Sequence, residues 1–227
     1  MELKRLYIDL HVLQTVPPSC LNRDDTGSPK TAVYGGTTRA RVSSQAWKRA
    51  VRLMFRQELF SRDQLGERTK KIVALVADEI SRLAPDQDAV KLAMNALEKA
   101  GLGKVKEDKG TDALFFMSYD QAKALAELIV AGNDDNKAYK AALKEKPSVD
   151  MVLFGRMVAS DPSLNYDAAA QVAHSISTHA VQNEYDYFTA VDDCAPEDSA
   201  GAGHLGTVEY NSATLYRYAT VNPVELA

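Results

Sequence analysis

The chain has 227 residues, of which 45% are hydrophobic and 26% are charged, a composition that argues against a disordered chain. Charged residues interrupt the first ten positions, and no run of about 18 apolar residues occurs, so neither a secretory signal nor a membrane partner is expected. The two cysteines, Cys20 and Cys194, lack the number and spacing of a disulfide framework, which favours a reducing, cytoplasmic location.

Charge is distributed unevenly along the sequence. Residues 37–56 contain six basic residues and no acid, and because the whole chain carries −4, the remainder carries −10. Residues 157–216 show the reverse, with nine acids and no lysine or arginine. This asymmetry predicts a site for a polyanion on one face and a different partner on another.

The first elements are a strand, a polar loop and a basic helix. Residues 6–13 alternate in part and are rich in strand formers, and residues 22–30 follow as a charged loop long enough to be functional. A short extended piece at 39–42 leads to Ser43 and Ser44, which are typical helix N-cap residues. A helix is then predicted over residues 45–60.

This helix has two chemically different faces. Its apolar face is formed by Trp47, Ala50, Val51, Met54 and Phe55, and its polar face by Gln45, Lys48, Arg49, Arg52 and Arg56. Cationic side chains beside a helix start can hold phosphate, whereas most charged stripes are simply solvated. The spacing alone leaves both interpretations open.

The middle of the chain is predicted to be helical and the end to be β-structure. Helices are expected at 67–83, 86–100, 119–131 and 134–144, the third behind a capping box formed by Ser118 and Gln121. Strands are expected at 149–154 with 157–158, at 170–181 and at 208–222, the last two flanking a tip at 183–206. Together these elements predict an α+β fold.

Several motifs, in this order, resemble one family. They are residues 18–25 (PSCLNRDD), 34–36 (YGG), 39–50 (RARVSSQAWKRA), 155–157 (GRM), 174–179 (HSISTH), 187–193 (YFTAVDD), 204–207 (HLGT) and 215–218 (LYRY). This set is similar to the CasC (Cse-four) family, the backbone subunit of the type I-E CRISPR Cascade complex. The family pattern continues beyond residue 227, so the resemblance is to roughly its N-terminal two-thirds.

The resemblance implies a hand-shaped, non-catalytic RNA-binding protein without cofactors. It would have an RNA-recognition-motif (ferredoxin-like) palm, lacking its last helix and strand, at residues 1–62, 147–182 and 207–227. A helical finger insertion would occupy residues 63–146, and a β-hairpin thumb would have its tip at 183–206. Copies would stack head to tail along the guide RNA and kink it for target DNA recognition in antiviral defence, together with other Cascade subunits.

The resemblance also assigns roles to individual residues. Ser43, Gln45 and Lys48 match RNA-contacting palm positions, and Arg52 matches a position where some relatives carry lysine. Phe188 and Thr189 match the position of the thumb wedge, and Met157 matches a palm residue packed against the kinked nucleotide. From their charge and location, Arg49, Arg23 and Lys30 are further candidates for phosphate contacts.

The polar residues suggest two other kinds of site, one catalytic and one structural. Asp24 and Asp25 suggest a metal-dependent ribonuclease, but two neighbouring acids without a third ligand are more typical of a turn-capping pair. His174, His179, Cys194 and His204 suggest zinc, but their spacing favours structural roles. We therefore expect no metal site and no catalytic residue. The acidic pairs at 192–193 and 197–198 are expected to face the basic surface of the next copy.

Overall fold

A computed structural model describes residues 6–106, 110–190, 193–194 and 204–226, the side chains of residues 204 and 205 excepted. The strands are β1 (Ile8–Ser19), β2 (Thr31–Tyr34), β3 (Thr37–Val42), β4 (Gly66–Thr69), β5 (Phe115–Ser118), β6 (Ala170–Val172), β7 (Ser175–Ser177), β8 (Glu184–Ala190) and β9 (His204–Val221). The helices are α1 (Ser44–Met54), α2 (Ile72–Leu83), α3 (Ala89–Leu97), α4 (Tyr119–Val130), α5 (Asn136–Lys144) and α6 (Val149–Phe154). Single π-helical turns extend α1 over Phe55–Leu59 and α3 over Glu98–Leu102.

The chain divides into two compact units. The first, here called the sheet unit, comprises Asp9–Ala50 and Val172–Thr220. The second, here called the helical unit, comprises Val51–Gln171 and the chain ends.

The sheet unit is built on strands in the order β1-β9-β7-β3-β2, with β6 and β8 also paired to β9. Strand β8 pairs antiparallel with the first part of β9, from Glu184 opposite Tyr210 to Ala190 opposite His204, and this pair is here called the ribbon. The core of the unit is small, and Ala46 and Trp47 of α1 pack against it on one face of the sheet. Its buried members are Ala40, Val42, Val181, Ala213 and Leu215.

The helical unit has the larger apolar core. Helices α2, α3, α4 and α5 pack together through aliphatic residues that recur every three or four positions, such as Ile72, Val76 and Ile80 of α2. Strands β4 and β5 form a separate two-stranded antiparallel sheet. Within the residues that the structure describes, no helix is long and apolar enough to span a membrane.

The α+β prediction is confirmed, as are strand β1, the basic helix, the long strand β9 and the capping box at Ser118 and Gln121. The strand predicted at 149–154 is wrong, because these residues form α6. A short apolar run has no period that separates strand from helix, and here Val152 N donates to Ser148 O at 3.0 Å and closes a helical turn. The helix predicted from residue 67 begins only at Ile72, because Gly66–Thr69 pairs as β4.

Candidate nucleic-acid interface

The start of α1 is fixed by hydrogen bonds within the sheet unit. Ser43 Oγ accepts from Ala46 N at 3.2 Å, and Ser43 N donates to Asn22 Oδ1 at 3.0 Å. Ser44 N donates to His174 Nδ1 at 3.3 Å. The serine cap is therefore confirmed, and the backbone amides of Ser43, Ser44 and Ala46 all donate to groups of the protein itself. A ligand here would be held mainly by side chains.

The polar face of α1 in the sheet unit carries Gln45, Lys48 and Arg49. Gln45 and Arg49 are exposed and four residues apart, so they lie one helical turn from each other, and Lys48 is partly exposed between them. The structure describes no ion pair between Arg49 and an acid. Two cations and an amide on one turn are suited to a phosphate backbone.

The loop at 22–30 is a self-contained turn joined to this helix start through Asn22. Asp24 Oδ1 accepts from Thr26 N at 2.9 Å, Thr26 Oγ1 at 2.7 Å and Ser28 N at 3.0 Å. The Thr26 hydroxyl is the main cause that lowers the pKa of Asp24. Asp24 thus caps a turn, as the sequence indicated, and the residues that the structure describes contain no group of three metal-ligating side chains.

The two basic residues of the loop have different environments. Arg23 is exposed and its Nη1 donates to Gly27 O at 2.7 Å, which closes the turn from its other side. Lys30 is partly buried, and its backbone pairs with β3 through Arg41 N, which donates to Lys30 O at 2.9 Å. Both residues belong to the sheet unit.

The ribbon carries aromatic rings but no cation in the part that the structure describes. Tyr185 and Tyr187 are each 67% exposed and lie on one face, and Phe188 is 42% exposed on the other. The ring of Phe188 lies over Gly206 on the facing strand, where an added Cβ would come within 2.3 Å of Phe188 Cζ. Because Gly206 has no side chain, the Phe188 ring can pack directly against the backbone of the facing strand. Thr189 follows on the Tyr187 face.

Arg52 and Met157 belong to the helical unit. Arg52 Nε donates to Asp150 Oδ2 at 2.8 Å, Arg52 Nη2 donates to Gly66 O at 3.2 Å, and the guanidinium lies 4.4 Å from the centre of the Phe116 ring. These contacts occupy much of the side chain that the sequence offered to RNA. Met157 is 83% exposed.

Next to Met157, Arg156 is buried and holds the neighbouring backbone. Its guanidinium donates to the carbonyls of Leu164, Phe116 and Leu143 at 2.7–3.1 Å and to Gln121 Oε1 at 3.2 Å. Burial lowers the pKa of Arg156 to about 10, so it remains charged at neutral pH. The sequence placed Arg156 in a family motif without showing that its role is internal.

His174 and His179 make hydrogen bonds within the sheet unit. His174 accepts from Ser44 N, and His179 Nε2 accepts from Thr214 N at 3.2 Å. Cys20 and Cys194 are not joined by a disulfide. The predicted acidic interface falls on residues 192, 197 and 198, which lie outside the described residues, and on Asp193.

Eight of the ten predicted contact residues therefore lie in the sheet unit: Arg23, Lys30, Ser43, Gln45, Lys48, Arg49, Phe188 and Thr189. The sheet unit combines a sheet, a helix with Arg49 exposed and Lys48 partly exposed near its start, and an aromatic ribbon. Cations and exposed rings are the two kinds of group that α+β proteins of the single-stranded nucleic-acid-binding class use.

The chain belongs to the CT1975-like protein family, whose sequence pattern matches residues 8–227. It is similar to a chain of a solved structure entitled "CRISPR RNA-guided surveillance complex, pre-nicking", with 34% identity, a TM-score of 0.70 and 97% of this chain covered. A chain of a second structure, "CRISPR RNA-guided surveillance complex", is 30% identical over 97% of this chain, with a TM-score of 0.50. The sequence matches no curated protein.

The present chain spans 66% of the length of the first of these relatives and 52% of the second. The similarity therefore covers nearly all of this chain but only part of theirs.

Proposed function

We propose that this protein is a non-catalytic, guide-RNA-binding backbone subunit of a Cascade-type CRISPR surveillance complex, of the type I-E CasC kind. The observation that carries the proposal is the cationic turn of α1, with Arg49 exposed and Lys48 partly exposed, in a chain that resembles surveillance-complex chains over 97% of its length. Guide and target would be matched by base pairing, so the protein needs only sequence-independent contacts to the guide backbone.

The division of labour follows from the chemistry of the sheet unit. Lys48 and Arg49 on α1 and Arg23 and Lys30 on the loop would hold phosphates, because cations bind the RNA backbone whatever its sequence. Gln45 and the hydroxyl of Ser43, which still has its own proton to donate, would add hydrogen bonds.

The ribbon would act on bases rather than phosphates. A surface with acids such as Glu184 and Asp186 repels phosphate, whereas exposed rings stack on any base. Phe188, which packs against Gly206, would contact the guide together with Thr189 and displace a base. Met157 would then pack against the displaced nucleotide. Regular displacement along the guide would leave the intervening bases ready to pair with target DNA.

The proposed role also requires several copies of the chain to assemble on one guide RNA. Copies would follow one another head to tail along the guide, with other Cascade subunits at the ends, in the cytoplasm. A heterologous interface of this kind propagates instead of closing, and the opposite charges of the two parts of the sequence are suited to it.

The test is RNA affinity as a function of salt concentration. Lys48→Ala with Arg49→Ala should weaken binding of a single-stranded guide RNA and flatten the slope of log affinity against log salt by roughly 1.4, at about 0.7 per neutralised phosphate. Lys91→Ala with Lys123→Ala, two exposed lysines of the helical unit, is the matched control and should leave the slope unchanged. An unchanged affinity and slope in the α1 variant would contradict the proposal.

A further inference from the structure

The sheet unit has a second face, opposite α1. Ala213 and Leu215 of β9 are buried in the core, so the alternating residues Thr214, Tyr216 and Tyr218 lie on the opposite face. Side chains of β1 meet them there, because His11 Nδ1 and Tyr216 Oη are 2.7 Å apart and Tyr218 Oη donates to Asp9 Oδ1 at 2.9 Å. This surface is here called the open face.

The open face carries a preformed group of rings. The rings of His11 and Tyr216 are stacked, with centroids 6.1 Å apart and an interplanar angle of 23°, and His11 lies 5.1 Å from Tyr218. His11 is exposed, and Tyr216 is 41% exposed. The hydrogen bonds described above fix these rings before any ligand arrives, which reduces the entropy lost on stacking.

A row of side chains on the open face leads from these rings to the basic residue Arg41. Tyr216 pairs with Ile176 of β7, and Ile176 pairs with Arg41 of β3, so the three side chains lie on one face in a row. The backbone of Arg41 is hydrogen-bonded to that of Lys30, which ends the loop at 22–30. At about 4.8 Å per strand, the row from Lys30 to His11 is about 19 Å long.

The charge of the row is suited to a polyanion. Arg41 Nε is buried and has no hydrogen-bond partner within the described residues, and no described acid pairs with this arginine. Asp9 is the acid beside the rings, and its carboxylate accepts from the Tyr218 hydroxyl. Partly exposed Arg41 at one end of the row and the exposed rings at the other supply the two components that single-stranded RNA requires, phosphate contact and base stacking.

We infer that the open face is a second guide-RNA subsite, in which bases stack on His11 and Tyr216 while the adjoining phosphates lie near Arg41. This inference rests on the proposed function, and it extends the path of the guide from the loop at 22–30 across the sheet. Sheets that bind RNA use aromatic side chains of central strands to stack bases, and β9 is a central strand here.

Two substitutions of Tyr216 distinguish the contribution of its ring to RNA binding from that of its hydroxyl. Tyr216→Leu removes the ring and should weaken guide-RNA binding by roughly tenfold, a loss typical of one stacked base. Tyr216→Phe keeps the ring and should stay within about twofold of wild type. Val33→Ala removes an apolar side chain that is 78% exposed and pairs with Thr38 on the α1 side of the sheet, and should have no effect. Binding would be measured by fluorescence anisotropy, with circular dichroism to verify folding.

A second measurement does not depend on variants. The wild-type protein, irradiated with guide RNA that contains 5-iodouridine, should yield crosslinked peptides containing His11 or Tyr216. Crosslinks confined to α1, the loop and the ribbon, together with wild-type affinity of Tyr216→Leu, would overturn the inference and leave the proposed function intact. Loss of binding in Lys48→Ala with Arg49→Ala tests the proposed function separately.

The open face has one competing occupant, a second copy of the chain. Light scattering of wild type and Tyr216→Leu without RNA distinguishes the two. Equal masses support the RNA subsite, whereas a loss of self-association in Tyr216→Leu, with unchanged affinity for RNA per protomer, would reject it.

Discussion

Arg52 donates from Nε to the buried carboxylate of Asp150 at 2.8 Å, which ties α1 to the start of α6 within the helical unit. Asp150 is 2% exposed and also accepts from Gly66 N and Ser148 Oγ. The three described groups that donate hydrogen bonds to this carboxylate therefore all belong to the protein itself. The arginine that the sequence placed on an RNA-facing stripe therefore has an internal contact as well, and its contact with RNA remains a prediction.

Asp150→Ala is expected to lower the free energy of unfolding by about 3 kcal/mol. It would leave the Arg52 charge, whose side chain is 22% exposed, without its acceptor and Gly66 N unsatisfied. Urea denaturation would measure the change. Asp134→Ala, which breaks the ion pair between Lys99 and Asp134, whose side chains are 40% and 77% exposed, should cost less than about 0.5 kcal/mol. Equal effects of the two substitutions would contradict the structural role of Asp150.

The packing of the Phe188 ring against Gly206 gives a second prediction. Gly206→Ala places a methyl group within 2.3 Å of the ring and must displace it, so guide-RNA affinity should fall by roughly tenfold, as in Phe188→Ala. Thr207→Ala on the opposite face of the ribbon is the control and should bind normally. Fluorescence anisotropy gives the affinities. Normal binding by Gly206→Ala would indicate that this ring makes no contact with RNA.

The sequence predicted local secondary structure better than it predicted which distant residues contact one another. Periodicity at three and four residues located α1, and the capping residues located α4, because these signals depend only on nearby positions. It did not predict that Arg52 pairs with Asp150, 98 residues away, because that contact depends on the tertiary fold. The open face was missed for the same reason. Only the pairing of β9 with β1 in the folded sheet brings His11 to Tyr216.

The ion pair between Lys140 Nζ and Asp161 Oδ2, 2.6 Å apart, predicts acid sensitivity of the helical unit. Hydrogen bonds from Lys140 and then Ser163 lower the pKa of Asp161 to about 2. Because the folded pKa is below the unfolded value of about 3.9, Asp161 contributes stability above pH 4, and this contribution is lost as pH falls from 4 towards 2. Asp161→Asn should therefore flatten the stability profile in that window.

Chemical denaturation at a series of pH values between 2 and 7 would measure this profile. Asp112→Asn, which changes an exposed carboxylate on the same unit, is the control and should keep the wild-type slope. A wild-type slope in Asp161→Asn would mean that other carboxylates govern acid unfolding.

The turn around Asp24 predicts that the protein does not cleave RNA. Asp24 Oδ1 already accepts three hydrogen bonds within the loop, so only Oδ2 is left for a cation, and no third ligating side chain joins Asp24 and Asp25 among the described residues. Purified protein with guide, complementary RNA and Mg²⁺ should leave that RNA intact on a denaturing gel. Cleavage that disappears in both Asp24→Ala and Asp25→Ala would establish the ribonuclease alternative.

Arg156 shows why a motif residue beside a candidate contact need not itself contact the ligand. Four acceptors surround its guanidinium, which also lies 4.9 Å from the centre of the Phe115 ring. A lysine has three donors and no planar fork, so Arg156→Lys must leave buried carbonyls unsatisfied.

We expect Arg156→Lys to lower the free energy of unfolding by about 3 kcal/mol, a loss that urea denaturation would measure. Arg82→Lys, at a side chain that is 72% exposed, should change it by less than about 0.5 kcal/mol. If Arg156→Lys kept wild-type stability but lost RNA affinity, Arg156 would act on the ligand instead. The four internal hydrogen bonds favour the opposite result, in which the folded fraction binds RNA normally and Met157, which is exposed, makes the contact.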